Sequence, residues 1–118
     1  MKLIRRYSLF ILLFSLLFFM GCSATITTNQ APVITSDPVT LVLIGKSYAY
    51  QVEAIDTKGD ILTYSLTAKP PGMTINSSNG IITWTPTMVG TYDVSIVVSD
   101  GELSDSQNFT LTVAAIFT

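Results

Sequence analysis

The apolar residues of this chain recur with a period of two, and that period limits its folds more than any other feature. Tyr48, Tyr50, Val52 and Ala54 alternate with Ser47, Ala49, Gln51 and Glu53. Tyr92, Val94, Ile96 and Val98 alternate with Asp93, Ser95 and Ser99, with Val97 the one interruption. Phe109, Leu111 and Val113 alternate with Asn108, Thr110 and Thr112. Successive side chains on a strand point to opposite faces, so these segments predict half-buried strands with one wet face. Residues 61–66 and 80–84 predict shorter strands, and 33–36 with 39–44 a first strand broken around Pro38. No stretch of the domain keeps apolar spacings of three and four over three turns, so essentially no helix is expected there. Thr57-Lys58-Gly59-Asp60, Pro70-Pro71-Gly72, Asn79-Gly80 and Asp100-Gly101 punctuate the strands at the spacing of a sandwich. The expectation is all-β: about seven antiparallel strands in two packed sheets.

Three aromatic residues stand out as structural. Trp84 is the only tryptophan, and packing in the core against Tyr64 or Tyr92 is expected of it. A solvent-facing sugar platform is the alternative role. Tyr92 follows Gly90 at the start of the penultimate strand, where its hydroxyl can bond nearby backbone as a tyrosine corner.

The first 21 residues are a different polymer. Lys2, Arg5 and Arg6 precede a fourteen-residue run, 7–20, that is apolar or weakly polar. A spanning helix needs about 20 apolar residues, so the run fits a secretory signal helix better. An uncleaved membrane helix that borrows residues 21–27 is the alternative. Gly21-Cys22-Ser23 follows directly and resembles the lipobox of bacterial lipoprotein signals. That resemblance implies cleavage before Cys22 and a lipid on its sulfur. Residues 22–31 then read as an uncharged tether of about 30 Å at full extension.

Composition removes several functions. The chain has no histidine, which excludes a histidine base and histidine metal ligands. Cys22 is the single thiol, so no intrachain disulfide or zinc cluster can form. From Cys22 onward only Lys46, Lys58 and Lys69 oppose all eight acids, a formal charge of −5. Nucleic-acid binding needs a basic stripe that this segment lacks.

A set of strings occurs in order across residues 31–113. It runs Ala31-Pro32-Val33-Ile34, Tyr48-x-Tyr50-Gln51-Val52, Asp56-x-x-Gly59-Asp60 and Leu62-Thr63-Tyr64-Ser65-Leu66. Pro71-Gly72-Met73, Asn79-Gly80-Ile81-Ile82-Thr83-Trp84-Thr85-Pro86, Gly90-Thr91-Tyr92 and Val97-Val98-Ser99-Asp100-Gly101 complete it. The chain therefore resembles the dystroglycan-type cadherin-like repeat, also called the putative Ig domain, of secreted and surface proteins. The resemblance implies an Ig-like or cadherin-like sandwich with adhesion or binding roles and, in some members, calcium. It implies no enzymatic activity. By the same resemblance Asp56 and Asp60 occupy one loop and Asp100 another at the same end, where six to eight oxygens could gather around Ca2+. Glu53 or Asn29 could add an oxygen. Lys58 stands where relatives carry a middle loop acid. Ordinary turn roles for these acids are the alternative.

The organisation expected is a signal at 1–21, a lipid-anchored tether at 22–31, the sandwich at 32–113 and a tail at 114–118. The functional expectation is a non-catalytic, exported and membrane-anchored interaction or adhesion module with calcium as its candidate cofactor. The anchor would be Cys22 and the face presented would be periplasmic or cell-surface, with an unidentified protein or glycan as partner. A carbohydrate-binding or accessory module of an exported enzyme system is the alternative. The alternation points every aromatic residue after Cys22 except Phe117 inward, which leaves no evident sugar platform.

Overall fold

A computed structural model describes residues 28–116. The signal, Cys22, most of the tether and Phe117 lie outside the described residues. Within them the chain is all-β with no helix. Its strands are β1 Val33–Ile34, β2 Leu41–Leu43, β3 Tyr48–Gln51, β4 Ala54–Ile55 and β5 Thr63–Ala68. β6 Thr74–Ile75, β7 Ile81–Trp84, β8 Gly90–Ser99 and β9 Ser104–Ala114 follow.

The long β8–β9 hairpin is the frame. Its register runs unbroken from Gly90 opposite Val113 to Ser99 opposite Ser104. β5 adds to the β8 side and β2 to the β9 side, giving a sheet in the order β2-β9-β8-β5. A second sheet, β3-β7-β6, packs across it, and β1 with β4 forms a small third ladder. The alternation works as expected on β8: Val94, Ile96 and Val98 are fully buried. They meet Tyr48, Tyr50, Val52, Met73, Ile82 and Leu111 in one core. Burying such side chains supplies roughly 1.5–3 kcal/mol each before ordering costs, so this layer dominates stability.

The nine strands refine the expected seven or so. The segment 48–54 is not one strand. Its alternation is continuous, but the chain changes partner at Val52, whose N–H bonds Gly80 O at 3.0 Å. The N–H of Glu53 then bonds Ser36 Oγ at 2.9 Å, and β4 pairs with β1 instead of β7. The all-antiparallel expectation needs one correction, because β2 runs parallel to β9. Pairing with β4 ends at Thr35, Pro38 cannot donate to resume it, and the chain crosses to another sheet before β2. Tyr48 ties that crossing down through its hydroxyl, which donates to Val39 O at 2.7 Å. Burial, then the neighbouring Tyr50, pushes the Tyr48 phenol up from its ordinary value.

The topology gives the sandwich two ends. The 100–103 turn, the 56–62 loop and the 76–80 loop share one end with Asn29. The 44–47 turn, the 69–73 loop, the 85–89 loop and the end of β9 share the other.

Two glycines separate packing from conformation. Gly80 has φ +77°, and an added Cβ would meet the Tyr64 ring and Val52 O at 2.9 Å. Gly59 has φ +76° with open space around it. Gly59→Ala is therefore expected to cost about 1 kcal/mol of backbone strain, and Gly80→Ala at least about 2 kcal/mol more. Chemical denaturation of both variants checks this; equal losses would contradict the packing at Gly80.

Candidate metal centre

Three carboxylates expected to share a loop end do converge. One oxygen from each of Asp56, Asp60 and Asp100 lies within 4.8 Å of the others, and all three residues are half-buried. Asp56 opens the β4–β5 loop. Its Oδ1 accepts the N–H of Lys58 at 2.9 Å and of Asp60 at 3.3 Å, folding the loop back on itself. The N–H of Gly59 closes the same turn onto Asp56 O at 3.0 Å. Asp100 shapes the β8–β9 turn in the same manner, its Oδ1 accepting the N–H of Glu102 and of Leu103, each at 2.8 Å. In both loops Oδ1 holds the backbone, which leaves Oδ2 for other partners.

The remaining oxygens give the site its character. Asp100 Oδ2 accepts Asn29 Nδ2 at 3.0 Å, which brings the segment before β1 across to the hairpin turn. Asn29 Oδ1 and Asp56 Oδ2 are buried and have no hydrogen-bond partner among the described residues. A buried oxygen without a donor costs about 1–3 kcal/mol, so these atoms favour an electropositive ligand. The donors are all oxygens, the ligand type of a hard cation such as Ca2+. The residues thus fit the metal implied by the resemblance. Glu53, weighed as a further ligand, is exposed beside β4, and its backbone N–H and C=O pair with Ser36 and Thr35.

Electrostatics add one constraint. The N–H groups of Leu103 and then Glu102 hold the Asp100 carboxyl below its ordinary range, against a smaller opposing effect of desolvation. Asn29 and the positive charge of Lys58 lower it further. Lys58 therefore acts on the same carboxylate that a cation would use.

The three structural aromatics sit at the margin of the core, half-buried and packed against it. Trp84 meets Tyr92 edge to face at 5.2 Å. The Tyr92 hydroxyl donates to Met88 O at 3.0 Å, four residues back, as a tyrosine corner does. Tyr64 instead lies over Gly80. Trp84 Nε1 donates to Pro71 O at 3.1 Å. Trp84 and Tyr92 also line an open cleft of about 640 Å³ with Pro71 and Met88 at the opposite end from the carboxylates. The strict alternation hid this cleft, because a residue at the end of a strand can pack inward with one face and line the surface with another.

Comparisons with known proteins agree with this architecture. A family model described as "Putative Ig domain" matches residues 31–114. Integrin beta-like protein A of Dictyostelium discoideum is 35% identical over 79 residues, which is 63% of this chain and 4% of that protein. The serine-rich adhesin for platelets of Staphylococcus aureus (strain USA300) is 42% identical over 45 residues, 38% of this chain and 2% of the adhesin. The chain thus spans only a few per cent of the length of these relatives. Human protocadherin-24 EC1-2 superposes with TM-score 0.57 at 22% identity, covering 74% of this chain and 44% of that one. The endo-fucoidan hydrolase MfFcnA4 superposes with TM-score 0.57 at 28% identity, covering 79% of this chain and 15% of the enzyme.

The lowered Asp100 carboxyl carries a pH signature. Its ionised form stabilises the fold fully above the unfolded value, about 3.9, and that contribution is lost as pH falls through the lower folded value. Asp100→Asn keeps an acceptor for both N–H groups but removes the titration. Unfolding measured between pH 2 and pH 6 is expected to fall less steeply with acid in this variant than in the wild type; parallel curves would contradict the assignment.

Proposed function

The chain belongs to the "Putative Ig domain" family, and from that membership we propose that it is a non-catalytic, calcium-binding interaction module displayed at a cell surface. One observation carries the calcium reading: Asp56, Asp60 and Asp100 converge from two loops, and Asp56 Oδ2 and Asn29 Oδ1 are buried oxygens without a partner among the described residues. Asp56, Asp60, Asp100 and Asn29 would hold the ion. Bound there, Ca2+ would supply the positive charge that draws the 56–60 loop and the 100–103 turn together. The resulting rigid loop end is what the module would offer a partner. Likeness to an adhesin and to integrin beta-like protein A supports the interaction role. The absence of histidine and the single thiol argue against catalysis.

Loop modules of the extracellular kind bind calcium in the millimolar range or somewhat tighter. At ten times the dissociation constant the gain is about 1.4 kcal/mol, or roughly 6 °C or more in the midpoint of a domain of this size. A rise of that order on replacing chelator with calcium is expected for the wild type and not for Asp60→Asn. Lys58→Ala removes the competing positive charge and is expected to tighten binding on the order of threefold. Equal midpoints with calcium and chelator would sink the calcium reading.

Display rests on the segment before the domain. A basic start, an apolar run and Gly21-Cys22 support export followed by lipid attachment at Cys22. Two or more acyl chains hold a protein to a bilayer far more firmly than one. Metabolic labelling with a radioactive fatty acid is expected to mark the wild type and not Cys22→Ala. No label, or undiminished label on the variant, would count against the anchor.

A second reading has one observation in its favour. The 28% identical superposition on the endo-fucoidan hydrolase covers only 15% of that enzyme, as a module appended to a larger protein would. In that case the chain would serve an exported glycan-degrading system as an accessory, and binding to a glycan panel would distinguish it.

A further inference from the structure

The two ends of the sandwich carry opposite chemistry. At the carboxylate end Asp56, Asp60, Asp100 and Glu102 face the single Lys58. At the other end the basic residues are Lys46, in the turn that Gly45 bonds to Pro86 O, and Lys69, just before Pro70-Pro71. Both lysines are exposed. Lys69 precedes the 70–72 segment that lines the cleft with Trp84, Met88 and Tyr92, and the turn of Lys46 is bonded to the 85–89 loop that lines its other side.

Each end also carries an apolar feature that the fold itself leaves unused. Ile61 follows Asp60 directly at the acidic end and is 89% exposed. Of the large apolar side chains left exposed among the described residues, it is the most exposed. At the basic end Met88 is 68% exposed on the rim of the cleft. The cleft offers an aliphatic guest a largely apolar wall. Trp84 Nε1 is already bonded to Pro71 O and the Tyr92 hydroxyl donates to Met88 O, so these two donors are spent. The hydroxyl-bearing Thr85 and Thr87 also line the cleft, and the rest of its lining is proline, aromatic and thioether surface on which a branched aliphatic side chain packs favourably.

We propose that the chain associates head to tail with a second copy of itself: Ile61 of one copy enters the Trp84–Tyr92 cleft of the next, and the acidic end of the first meets Lys46 and Lys69 of the second. Acids outnumber Lys58 at one end, while at the other Lys46 and Lys69 stand with Asp93 beside Ala68, so the net charges differ between ends and favour this pairing over contact between two acidic ends. Knob and cleft lie at opposite ends, so the contact is heterologous and can repeat from copy to copy. The proposal deepens the interaction reading by naming the partner, and it does not require calcium.

Complementation tests it. Ile61→Asn removes the knob and leaves the cleft; Met88→Asp spoils the cleft and leaves the knob. Both positions are exposed, and unchanged unfolding midpoints would verify that the fold survives. The full chain, solubilised in a nonionic detergent and in excess chelator, is sedimented over a range of concentrations. The detergent's contribution is common to every sample. The wild type is expected to associate with concentration, and each variant alone at least about tenfold more weakly. An equimolar mixture of the two variants is expected to regain one contact and stop at dimers. Added salt is expected to weaken the wild-type association. A wild type that stays monomeric, variants that associate like the wild type, or a mixture that regains nothing would overturn the proposal. Because calcium is chelated throughout, such a failure would leave the calcium reading standing, and the reverse holds for the thermal test.

Discussion

The structure depends on the pairing of β8 with β9. Ten consecutive pairs, from Gly90–Val113 to Ser99–Ser104, hold one face of the core in register. A slip of one residue would turn Val94, Ile96 and Val98 outward, so burial and register enforce each other. The turn that closes this hairpin is held by Asp100 Oδ1 on two N–H groups. The same residue presents its other oxygen to Asn29 and stands beside Asp56 and Asp60. Fold and candidate site therefore meet in one side chain.

Much of this was legible before any coordinates. The period-two pattern of 92–98 and 109–113 reflects strands with one dry face: Val94, Ile96, Val98, Leu111 and Val113 are buried as it named them, and Tyr92 and Phe109 are half-buried. Turn chemistry marked the loops correctly, because Asp-Gly and Asn-Gly pairs answer local backbone needs. Tyr92 gave away its corner through Gly90 two residues earlier. What escaped was set by tertiary contacts. The change of sheet at Val52 leaves no mark on the alternation, since Ala54 still falls on the apolar phase. The parallel pairing of β2 depends on where the chain lands after Pro38. β6 has two residues, too few to show a period, and is held by Thr83 and Ile82 of β7.

The site was legible to a different degree. Grouping Asp56, Asp60 and Asp100 required knowing which loops share an end, which the resemblance supplied and periodicity alone could not. Asn29 was a possible oxygen in the sequence; its bond to Asp100 appears only once the segment before β1 crosses to the hairpin turn. The opposite polarity of the two ends was not visible at all. Lys46 and Lys69 are 23 positions apart in the chain and share an end only because β3 and β5 run in opposite directions between the two ends.

The central claim is that the loop end is a single calcium-responsive unit built on the hairpin turn. The most direct measurement follows backbone amide chemical shifts of the isotopically labelled protein through a calcium titration. The account predicts that the amides of Lys58, Asp60, Glu102 and Leu103 move together with one shared dissociation constant, while those around Lys46 and Lys69 stay still. Shifts absent from both loops, or confined to one of them, would contradict it.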